Sequence, residues 1–150
     1  MYLLATREFA DLASRDRDRL IFRWLEATKP GEKGLFISAV SVGIVASGIE
    51  DLDKHARGAW RRLLAEARRN FVDASGVIDV DLPIVDVWAS ELRGLDLIDE
   101  DPDTGERWSL SEDERLVLAT AIARQLTLVS QPRPYLDEVC ERTTLTVVHP

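Results

Sequence analysis

Short apolar runs alternate with longer amphipathic stretches along the whole chain. The runs are Tyr2-Leu3-Leu4-Ala5, Leu35-Phe36-Ile37-Ser38-Ala39-Val40, Val77 to Val80, Leu126-Thr127-Leu128-Val129 and Leu145 to Val148. Runs this short and this apolar suit strands buried on both faces, which is the condition of a parallel sheet. Between them, apolar residues recur at helical spacing, as with Leu20, Ile21, Trp24 and Leu25. The alternation predicts an α/β protein, a three-layer α/β/α sandwich around a mostly parallel sheet. With 150 residues and no repeat or linker, residues 1–150 are expected to form one domain.

Helices are expected over 8–12, 17–27, 42–50, 54–70, 83–95, 112–124 and 135–141. Ser41 is placed to cap the third, and Pro83 suits the first turn of the fifth. Ser111 and Glu114 have capping-box spacing. Trp60, Leu63, Leu64 and Ala67 should face inward, as should Trp24 and Trp88. Gly43 and Gly48 each cost a helix roughly 1 kcal/mol relative to Ala, so they predict close packing against a neighbour. Residues 96–107 hold Asp, Glu, Gly and Pro with little apolar pattern, and are expected to form one long loop.

The formal net charge is −8. Binding by phosphate neutralisation usually requires a basic face, so the balance speaks against it globally and leaves only local patches. One such patch is the long helix, where Arg57, Arg61 and Arg68, with Lys54, can share a side. The competing reading is a solvated face paired with nearby acids. A lone Cys140 excludes an internal disulfide and a Cys-rich metal site, and fits a reducing cytoplasm. The first residues turn polar after Ala5, unlike a signal peptide or spanning helix, so no membrane association is expected. No G-x-G-x-x-G or P-loop pattern occurs. His55 and His149 lack the companions of a nucleophile–base system.

Several segments, in order, resemble the PIN domains of VapC-type toxin nucleases. They are Met1-Tyr2-Leu3-Leu4, Phe22-Arg23-Trp24-Leu25-Glu26-Ala27, Leu35 to Gly43 with Gly48-Ile49-Glu50, Val87-Trp88-Ala89, and Ala119-Thr120-Ala121-Ile122-Ala123 with Leu126-Thr127-Leu128-Val129-Ser130. The last pair is similar to the family's "IAATALAHGLTLVT" stretch. The resemblance implies a PIN-like fold and a toxin–antitoxin setting, with a homodimer and an antitoxin-like protein partner. It also implies RNA cleavage by Mg²⁺ or Mn²⁺ held among three or four carboxylates at the strand ends. Hard divalent cations want oxygen ligands, and carboxylates supply charge as well.

Those carboxylates are largely missing here. Where the family has "LLDT", this chain has Leu3-Leu4-Ala5-Thr6. Where it has "LGEL", this chain has Val42-Gly43-Ile44-Val45. Neither Ala5 nor Ile44 offers an oxygen. Glu114, with Asp113 beside it, matches the third position. Ser130-Gln131-Pro132-Arg133-Pro134 follows the fourth strand without an acid, and Arg133 brings positive charge where a cation would sit. The expectation is therefore a PIN-like protein without nuclease activity, acting as a protein-binding module and needing no metal. Ile44 should partly fill the emptied pocket. The first rival is a Mg²⁺- or Mn²⁺-dependent ribonuclease using Glu114 and Asp113, with Glu8, Asp11 or Asp137 from unusual positions. The second is a non-cleaving nucleic-acid binder using Arg57, Arg61 and Arg68.

Nine acids between residues 96 and 114 face one base, Arg107. This segment reads as a solvated acidic loop. Its ligand order does not match an EF-hand, since position 110 is Leu. Trp108, beside it, is the best candidate for an exposed aromatic anchor.

Overall fold

A computed structural model describes residues 1–31 and 34–150. Five strands form one parallel sheet: β1 (Tyr2–Leu4), β2 (Leu35–Ser38), β3 (Val77–Ile78), β6 (Thr127–Val129) and β7 (Thr146–Val148). Their order is β3-β2-β1-β6-β7. Two further strands, β4 (Ile98–Glu100) and β5 (Arg107–Ser109), make a separate antiparallel hairpin.

The two-residue period of the strands divides the interior in two. Leu3 lies in register with Phe36 and Leu128, and all three join one core. Leu4, next along, lies in register with Ile37 and Val129, and these join the other. The first core is closed by α5 (Leu82–Val87), the π-helical turn that continues it (Trp88–Leu92), α6 (Glu112–Ala123) and α7 (Pro134–Arg142). The second is closed by α1 (Thr6–Ser14), α2 (Leu20–Thr28) and α4 (Lys54–Asp73). α3 (Ala39–Glu50) serves both, with Val40 and Ile44 on one core and Ile49 on the other. This is the expected α/β sandwich. Among the described residues, no helix is long and apolar enough to cross a membrane.

Four local expectations need correction. Ser38, not Ser41, caps α3: its hydroxyl accepts from the Val40 N–H at 3.2 Å, and the helix starts three residues early. Ser41 is then wholly buried inside α3. Gly43 and Gly48 are not tight contacts, because a Cβ at either would meet nothing within 4 Å. The fifth helix does not run unbroken to Leu95. It widens into the π turn, where Arg93 N–H reaches the Trp88 carbonyl at 2.9 Å, and Leu92 is fully buried. Residues 96–107 are not a loop throughout but carry β4 and lead into β5. Asp101 accepts from the Asp103 and Thr104 N–H groups at 2.8 and 2.9 Å, and Gly105 takes φ +71°, so the polar residues shape the hairpin's turn.

Candidate functional site at the strand ends

In an open parallel sheet the natural binding crevice lies beyond the carboxyl ends of the strands, where chain order reverses. Here the reversal falls between β1, whose successors run out through β2 to β3, and β6, which leads to β7 on the other side. A cleft of about 230 Å³ opens at that point. Its walls come from Ala5, Thr6 and Glu8 after β1, Ser130, Gln131 and Arg133 after β6, Ser111 and Glu114 at the start of α6, and Asp99 and Trp108 from the hairpin. Arg7 of α1, Leu110 and Tyr135 of α7 complete the lining.

Three carboxylates meet the cleft from elements distant in sequence. Glu8, in the first turn of α1, is 1 % exposed. One oxygen, Oε1, accepts from the Gln131 N–H at 2.9 Å, tying α1 to the segment after β6. The other, Oε2, is buried without a hydrogen-bond partner. Burial pushes its pKa up to about 7, against the pull of that backbone bond. Glu114 is held by Thr6, whose hydroxyl donates to Oε2 at 3.1 Å and lies 3.2 Å from the Ser41 hydroxyl. Burial raises the Glu114 pKa as well, and the Thr6 bond offsets part of the rise. Asp99, 5 % exposed, pairs with the Arg133 guanidinium. Burial works against the Arg133 charge, but Asp99 outweighs it and holds the guanidinium protonated beyond its ordinary range. Burial likewise raises the Tyr135 phenol.

The capping box is half formed. Ser111 Oγ accepts from the Glu114 N–H at 3.2 Å, but the Glu114 carboxylate turns to Thr6 instead of back to the cap. Asp113 is exposed and outside the cleft lining. Ala5 lies in the lining, as N-cap of α1 with no side-chain bond to give. Ile44 packs against the first core, yet the cleft stays open beside Ala5. Asp11 sits 3.8 Å from Arg19, and Asp137 lines a different groove with Cys140 and His149.

The basic face of α4 is partly neutralised. Arg61 makes a forked contact with Glu50, both oxygens at 2.7 Å from Nη2, and Arg57 lies 4.0 Å from the same carboxylate. Arg68 is exposed and lines a groove with Val42 and Val72.

No protein-family model matches the chain, and no curated protein sequence matches it. Solved structures do match in shape. FitAcB from Neisseria gonorrhoeae aligns at a TM-score of 0.70 and 17% identity, over 98% of this chain and 96% of that one. VapBC2 from Rickettsia felis, bound to a fragment of its promoter DNA, aligns at 0.66 and 17%, over 99% and 98%. DNA-bound VapBC from Salmonella typhimurium aligns at 0.65 and 15%, over 99% and 96%. The fold is the VapC-like PIN fold.

VapC-like PIN nucleases generally depend on divalent metal. Ala5 and Ile44 bring no oxygen to the strand ends. Among the described residues, no three His, Cys, Asp or Glu side chains converge closely enough to share a cation. Burial raises the Glu8 pKa to about 7, and the Arg133 guanidinium stands against Asp99.

Two contributors to the cleft carry little signal in the sequence. Asp99 lies in an acidic stretch with the composition of a solvated loop, although Ile98-Asp99-Glu100 and Arg107-Trp108-Ser109 flank a turn in the manner of a hairpin. Nothing local in the sequence shows that α1 starts early enough, at Thr6, to bury Glu8. Trp108 is 41 % exposed at the cleft, as its position beside the acids suggested.

Proposed function

We propose that this chain acts as a protein-binding member of a VapC-like pair, without metal-dependent RNA cleavage. The observation that carries this reading is the Arg133–Asp99 ion pair in a cleft whose walls include Ala5 and a Glu8 carboxyl with pKa near 7. A divalent ion needs several charged oxygens at about 2.0–2.6 Å, and here an internal cation already stands against Asp99, one of the three carboxylates. The partner expected is an antitoxin-like protein, in keeping with the paired VapBC and FitAB proteins that share the fold. A homodimer is also expected, and Val80, Leu82 and Val85, exposed around the start of α5, supply apolar surface for it. The setting proposed is cytoplasmic.

The test is RNA cleavage by the purified chain in Mg²⁺ or Mn²⁺, with Glu114→Gln alongside. No cleavage by either protein is the expected result. Cleavage that disappears in Glu114→Gln would overturn the reading. The nuclease alternative draws on one observation, the meeting of Glu8, Asp99 and Glu114 in one cleft, and the same assay decides it.

A further inference from the structure

Arg133 precedes α7, and its side chain is only 16 % exposed. An arginine this enclosed needs acids around it, and the fold supplies them from three directions. Asp99 contacts it from β4, while Glu8 and Glu114 share the same cleft from the first turns of α1 and α6. Glu8 Oε2 remains buried and unpartnered, an oxygen with acceptor capacity to spare. A divalent cation requires its oxygens to converge on a point, and no three acids do so among the described residues. A guanidinium is different. It is a planar fork with five N–H donors, so it can serve acids spaced more widely than a shared metal ion allows.

We propose that the strand-end cleft is a guanidinium site and that Arg133 is its built-in occupant, taking the place of the divalent cation used by nucleases of this fold. The proposal deepens the non-cleaving reading and rests on it, since it assigns the acids to an organic cation instead of a metal ion. Arg133 thereby also fastens the hairpin to the segment after β6, because Asp99 is a hairpin residue.

The experiment is chemical rescue of Arg133→Ala, read as melting temperature. Removing one member of an enclosed pair leaves the other charge uncompensated, and the variant should melt roughly 5–10 °C below wild type. Methylguanidinium at roughly 10 mM should restore at least half of that loss, by binding the folded state alone. Sodium chloride at the same ionic strength should not. The double variant Asp99→Asn/Arg133→Ala should show no methylguanidinium response. No rescue, or equal rescue by sodium chloride, overturns the proposal. Rescue of Arg133→Ala by Mn²⁺ instead also overturns it, while leaving the non-cleaving reading intact. Mn²⁺ binding to wild type with RNA cleavage overturns that reading itself. If Arg133→Ala does not fold alone, refolding from urea with and without methylguanidinium gives the same decision: recovery supports the proposal and no recovery overturns it.

Discussion

At the scale of single residues, burial decides the chemistry. Glu8 is an ordinary residue in sequence and an unusual one in place, because the start of α1 carries it beneath the cleft. Its folded pKa of about 7 exceeds the 4.5 of an exposed glutamate, so the folded state holds the proton more tightly. The sign follows: stability is greatest below about pH 4.5 for this group and falls as pH rises towards 7, by about 3 kcal/mol in all. Glu114 shifts in the same direction and adds to the slope. Glu8→Gln should flatten the profile and stabilise the protein at pH 8 by about 1–3 kcal/mol, as urea unfolding at pH 5 and 8 would measure. Arg115 is a second case. Only 4 % exposed, it donates to the carbonyls of Leu92 at 2.6 Å, Leu95 at 2.9 Å and Leu110 at 3.2 Å. These include carbonyls freed where the π turn ends. Arg115→Met should leave the Leu95 and Leu110 carbonyls without this donor, the Leu92 carbonyl keeping the Leu95 N–H at 3.1 Å, and cost about 3–5 kcal/mol in denaturant titration.

At the scale of elements, the strands were legible because a buried strand shows itself in composition alone. Every apolar run became a strand, shortened by a residue or two at one end or the other. The helices were legible for the same reason, with exceptions that share a cause. Gly43 and Gly48 looked like packing glycines because a helix tolerates them only with a reason, yet space lies open at both. Gly48→Ala should therefore stabilise α3 by about 0.5–1 kcal/mol, seen as a higher urea midpoint with an unchanged slope. The hairpin was missed because its residues are polar. Its strands pair with each other and cover a cleft, so period-2 burial touches little beyond Asp99.

At the scale of the whole molecule, the question is what the apolar surface around α5 meets. Leu82 is 71 % exposed, and Val80 and Val85 are each more than a third exposed. If a second copy covers them, sedimentation should show twice the 16.9 kDa chain mass, and Leu82→Lys should return it to the monomer without lowering stability. A wild-type monomer at micromolar concentration would count against the dimer. The net charge of −8 opposes phosphate binding, and the structure adds a local reason. Arg57 and Arg61 of α4 are turned to Glu50.

The sequence by itself determined the α/β alternation, the order of the helices and the five parallel strands, and the apolar side chains at positions 5 and 44. These depend on side-chain type and local period, which a linear reading contains. Only the tertiary structure decided which charges meet. Glu8, Asp99, Glu114 and Arg133 are separated by as many as 125 positions, and they converge because the sheet's reversal between β1 and β6 brings four chain segments to one end. Their pKa directions follow from that burial, and burial is a property of the assembled interior.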